Sequence, residues 1–128
     1  MSTEGNKTTQ SLNAAADYRA ATFLGKIVKI DTAAAEQAVV VSTLGARADG
    51  ILMNKPNLGE PCEVVTEGYG KALCGAAIAS AGLELTPDAT GRLITAVSTN
   101  FVFAISRHLT ANANEFVGVS IVGPYPKP

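Results

Sequence analysis

Between Gly45 and Gly91 the chain never runs more than six residues without a glycine or a proline, and that punctuation constrains what it can become. A stable helix needs apolar residues recurring every three or four positions over about ten or more residues. Each interior glycine costs a helix about 1 kcal/mol, and each interior proline about 3 kcal/mol. The apolar residues here come instead in short β-branched or alternating runs. They are FLGKIVKID (23–31), AVVVST (38–43), DGILMNKP (49–56), PCEVVTEGYGKALCG (61–75), LELT (83–86), GRLITAV (91–97), FVFAIS (101–106) and FVGVSIV (116–122). Such runs bounded by turn residues read as strands. The expected fold is all-β: a small β-barrel or β-sandwich of about seven or eight short strands.

Within those runs the reading is specific. PCEVVTEGYGKALCG reads as two strands around a glycine turn, with Gly68 at its centre. LELT and GRLITAV read as a hairpin. Pro87 would pre-set φ at the first central turn position, Asp88 would bond its own backbone ahead, and Gly91 would take φ > 0. On the return strand, Leu93, Thr95 and Val97 would share a face. Phe101, Phe103 and Ile105 form one expected face, and Val117, Val119 and Ile121 another. The terminal GPYPKP (123–128) is expected to end the ladder, because proline lacks the backbone donor. DTAAAEQA (31–38) reads as one helical turn or a loop, and AAIASAG (76–82) as a helical turn or a small-residue connection.

A length of 128 residues suits one domain. Residues 1–17 stand apart: they are polar, and Leu12 is their one large apolar side chain after Met1. Such a segment buries too little to offset its ordering entropy. The expected division is a flexible N-terminal arm over 1–17 and a β-domain over 18–128. The net charge of −1 comes from dispersed residues, which argues against phosphate-backbone binding. No apolar run reaches the roughly 18–20 residues that span a bilayer, and MSTEGNKTTQSLN lacks the apolar centre of a signal peptide. Synthesis in a cytoplasm, with no membrane or nucleic-acid partner, is the expectation. Cys62 and Cys74 would face each other if Gly68 centres a hairpin. Two buried thiols and a disulfide are both open, with the cytoplasmic reading favouring thiols.

Residues that carry chemistry are sparse. His108, the single histidine, has Arg107, Leu109 and Thr110 beside it and no carboxylate, so it reads as a loop histidine. Glu60, Glu63 and Glu67 read as the solvated face of a sheet. GYGKALCG lacks the [ST] and the helix of a phosphate-binding loop, and Asn6-Lys7-Thr8 carries no weight as a sequon without secretion. No catalytic residue, metal site or cofactor is expected, and the chain reads as a non-enzyme.

The order of these features resembles the small capsid decoration, or cement, proteins of tailed bacteriophages. The likeness covers about residues 20–122. It runs from GKIVKID through DGILMNKPNLGEPCEVVTEGYGKALCG to AGLELTPDATGRLITA, where Asp88, Gly91 and Arg92 match the family pattern, and ends in ANANEFVGVSIVGP. The resemblance implies a β-rich subunit, commonly a homotrimer, on the outer surface of the virion head. It would bridge neighbouring major capsid subunits and stabilise the expanded shell, with no catalytic residues. The arm would order on contact, with Asn6, Leu12, Tyr18 and Phe23 as partner-binding residues. The alternative is a carbohydrate- or host-surface-binding β-domain of a phage particle. The absence of Trp and the three tyrosines at loop-like positions, Tyr18, Tyr69 and Tyr125, argue mildly against it.

Overall fold

Three adjacent apolar pairs, Ile27-Val28, Ile51-Leu52 and Val64-Val65, are fully buried at both members. Successive side chains on a strand point to opposite faces. Strands carrying such pairs must therefore be covered on both sides, and the fold supplies two cores. The computed structural model describes residues 8–30 and 37–128. Its strands are β1 (Thr8–Ala14), β2 (Ile27–Ile30), β3 (Gln37–Val40), β4 (Gly50–Leu52), β5 (Pro61–Leu73), β6 (Glu84–Pro87), β7 (Leu93–Thr95), β8 (Phe101–Ser106) and β9 (Phe116–Pro126). Among the described residues there is no α-helix, only a 3₁₀ turn at Ala21–Phe23.

The sheet order is β1-β3-β2-β4-β5-β9-β8-β6-β7, and β1 also pairs with β5. The first five strands thus close into a barrel. Its interior takes one member of each apolar pair, Val28, Leu52 and Val64, with Leu12, Ala14, Tyr18, Ala38 and Cys62. The other members, Ile27, Ile51 and Val65, lie in register across β2, β4 and β5. They pack into the larger core with Leu85, Leu93, Phe103, Val117 and Val119 from the second group of strands. Each such side chain stabilises the fold by about 1.5–3 kcal/mol on burial. Connection 76–82 is the small-residue link, neither helix nor strand apart from an isolated bridge between Ile78 and Thr110.

The all-β barrel is as expected, with nine strands among the described residues, but several local expectations need correction. Residues 8–14, read as part of a flexible arm, form β1. It runs antiparallel to β5 from Thr8↔Glu67 to Asn13↔Pro61, and meets β3 at Asn13↔Gln37 and Ala14↔Ala38. A polar strand holds there because its backbone groups complete the ring, which composition does not register.

Gly68 does not centre a hairpin. β5 is one strand of 13 residues. Gly68 has φ 83° and marks the handover, since Glu67 pairs with β1 and Gly68 with Ile121 of β9. A strand that passes from one sheet to the next needs such a bend, and glycine permits it. The two cysteines therefore do not oppose one another; both are buried free thiols, Cys62 in the barrel interior and Cys74 in the larger core.

The proline-rich end does not stop the ladder, because β9 continues to Pro126. Pro124 falls in the bulge between the Val102↔Tyr125 and Ala104↔Ile121 pairs, and Pro126 ends the strand, so neither is asked for a donor. In the β6–β7 hairpin, Pro87 is the last residue of β6 and Asp88 opens the turn, with Gly91 N–H donating to Asp88 O at 3.2 Å. Gly91 takes φ 80° as expected. β7 ends at Thr95, so Leu93 is buried while Val97 is 62% exposed, and the two share no face.

Candidate functional site

Of the four residues expected to meet a partner, Asn6 lies outside the described residues. Leu12 and Tyr18 are 6% and 4% exposed, so their apolar surface is used inside this subunit rather than offered to another. The Tyr18 hydroxyl accepts the Val40 N–H at 3.2 Å. Phe23 is half-buried, with its ring tilted against Tyr18 at 4.9 Å and the Lys26 ammonium 5.2 Å from its centroid.

That Lys26 contact leads to a cleft of about 600 Å³, within the size range of ligand pockets. Its apolar wall is Leu24, Leu73 and Phe116, and its polar rim is Thr22, Lys26, Thr90, Arg92 and Asn114. Four separate stretches build it, and each is held by backbone bonds. Gly25 N–H donates to Leu52 O at 2.8 Å, and Leu73 N–H to Gly25 O at 2.9 Å. Gly25 has φ 85°, and a Cβ there would sit 2.5 Å from Cε1 of Phe116. Only glycine lets that ring lie on the chain. Phe116 is thereby seated by one edge and remains 47% exposed.

The β6–β7 turn supplies the other wall. Asp88 Oδ1 accepts the N–H of Thr90 at 2.8 Å, the Thr90 hydroxyl at 2.9 Å and the N–H of Arg92 at 3.0 Å. Arg92 Nε lies 3.4 Å from Asp88 Oδ2. Arg92 also donates from Nε to Thr90 Oγ1 and from Nη1 to Asn114 Oδ1, both at 2.8 Å. Burial pushes the Asp88 carboxyl upward, but the hydrogen bonds from Arg92 and Thr90 outweigh it and hold the group below its usual value. Burial lowers the Lys26 ammonium first, the positive Arg92 lowers it further, and Asp88 partly opposes both. No carboxylate among the described residues lies within ion-pair distance of Lys26.

The other titratable groups singled out from the sequence are hydrogen-bonded or exposed. His108 Nε2 accepts the Gly118 N–H at 3.1 Å, and Glu60 Oε1 accepts the Asn57 N–H at 2.8 Å. Glu63 and Glu67 are exposed on β5, as expected. No group of three His, Cys, Asp or Glu residues suited to a metal occurs among the described residues. The tyrosines are not at open loop positions. Tyr18 is buried, Tyr69 lies within β5 with the Arg107 guanidinium 4.0 Å from its ring centroid, and the Tyr125 hydroxyl in β9 donates to Glu84 at 2.6 Å. Lys127 also pairs with Glu84, and the two bonds hold that carboxyl below its usual value. Sequence reasoning missed Lys26, Leu73 and Phe116 as site residues; only Arg92, in the hairpin motif, carried a signal.

No family model matches the chain, and no curated protein matches it. Among solved structures it is similar to the head fiber gp8.5 N base of bacteriophage phi29. The match has a TM-score of 0.70 at 13% identity, over 91% of this chain and 94% of that one. At that identity the likeness is one of fold.

Proposed function

We propose that this chain is a structural protein of a tailed-phage head: a decoration protein that seats on the outside of the expanded shell and bridges major capsid subunits. The observation that carries the reading is the fold shared along nearly the whole chain with a head fiber base of bacteriophage phi29. It agrees with the independent sequence resemblance to decoration proteins. Hydrogen-bonded or solvated roles for His108, Glu60, Glu63 and Glu67 support a role without catalysis. A protein that binds only the expanded shell stabilises that state by its binding free energy, repeated over every site. A homotrimer would multiply modest contacts into tight attachment. Tyr18 is buried and Tyr125 is bonded to Glu84, which leaves Tyr69 as the one exposed tyrosine and weighs mildly against the sugar-binding alternative.

Immunogold electron microscopy of intact virions tests the proposal. Gold over the head surface is expected. Gold confined to the tail, or labelling only after the particles are opened, would overturn it.

A further inference from the structure

Among the described residues, Lys26 is a partly buried cation with no carboxylate at ion-pair distance. It is half-buried beside Phe23 and shares its cleft with a second cation, Arg92. Asp88, the carboxylate paired with Arg92, is already occupied by Thr90 and Arg92. The cleft therefore carries uncompensated positive charge at one rim and an apolar wall at the other. A partly desolvated charge without a counter-charge costs folding free energy. An incoming anion relieves that cost, and does so in a setting where the attraction is less screened than in open water. The wall adds a seated but half-open aromatic ring, Phe116, the type of side chain that anchors interfaces. The turn and strand ends around it are tied by the bonds described above, so little ordering is needed on binding.

We infer that this cleft is the shell-docking site, and that it receives an acidic side chain flanked by apolar residues of the major capsid subunit. The inference rests on the proposed decoration function and names its contact. The carboxylate would lie between Lys26 and Arg92, and the apolar neighbours against Phe116, Leu73 and Leu24. Lys26 also lies over the Phe23 ring, so melting of each variant is measured beside its binding to separate the binding role from a structural one.

The test uses the full chain and expanded shells of its own virus, with bound protein measured by co-sedimentation. Lys26→Glu and Phe116→Ser should each weaken binding about tenfold or more, a loss typical of interface anchors. Lys26→Met should weaken binding similarly while melting no lower than wild type, because it removes a desolvated charge. Lys26→Arg should restore binding to within about threefold, since the positive charge is kept. Leu58→Ser removes a side chain 64% exposed outside the cleft and should bind as wild type. Wild-type binding by Lys26→Met and Phe116→Ser would overturn the docking site while leaving the decoration function standing. A Lys26→Met chain that binds weakly only because it melts well below wild type would overturn it too. Failure of the wild-type chain to bind would remove the function itself.

Discussion

Replacing Leu12 by Ala tests whether the polar N-terminal strand belongs to the barrel. Leu12 is 6% exposed and packs with Cys62, Val64, Val28 and Leu52 inside the five-stranded ring. The substitution removes three carbons from that interior. Buried Leu→Ala changes cost about 2–5 kcal/mol, depending on how far the site collapses. This ring is closed by backbone ladders on every side, so collapse is limited, and about 3 kcal/mol is expected. For a chain of this length that corresponds to a fall in Tm of about 10–15 °C. It is a large part of the roughly 5–15 kcal/mol that holds such a domain folded. Urea unfolding followed by circular dichroism should show a lower midpoint at unchanged slope. Asn13→Ala, next along β1 and exposed, is the control and should stay within about 0.5 kcal/mol of wild type. If Leu12→Ala unfolds together with Asn13→Ala and wild type, β1 is not seated in the ring and the closed barrel is wrong.

Three further outcomes follow from the same contacts. Asp88→Asn keeps acceptors for the turn but loses the charge facing Arg92, and should cost about 1–2 kcal/mol at neutral pH. Because the folded Asp88 carboxyl is held below its usual value, its contribution is present above about pH 4 and disappears as pH falls through the depressed pKa. Acid titration of the urea midpoint should show that component in wild type and not in the variant. Both cysteines should resist a thiol reagent in the native chain and react once denaturant is added, with reductant changing nothing; burial raises the Cys62 thiol. Gly91→Ala forces a side chain onto φ 80° and a Cβ to 2.6 Å from Val40 Cγ1, so a loss of about 1–3 kcal/mol is expected by chemical denaturation.

The strand class was legible because it is local: glycine punctuation, β-branched runs, and Asp88 and Gly91 in a turn that needs both. What escaped is non-local. TTQSLNA looks like a flexible arm in isolation, and becomes a strand only because β5 and β3 offer it partners. Gly68 has a positive φ in either reading; whether it turns the chain back or bends it onward depends on β9, about 50 residues later. Pro124 looked like a stop because the bulge opposite β8 cannot be seen in sequence. The cleft was invisible for the same reason: Lys26, Leu73, Arg92 and Phe116 come from separate strands and turns. Leu12 and Tyr18 show the converse. Large apolar residues beside a polar segment look available for a partner, yet the chain's own barrel takes them first.

The decoration role itself is tested most directly by co-sedimentation of the purified chain with expanded heads stripped of decoration, with unexpanded heads as control. Saturable binding to expanded heads alone, with raised resistance of those heads to heat, is the predicted result. Equal binding to both kinds of head, or to neither, would contradict the account.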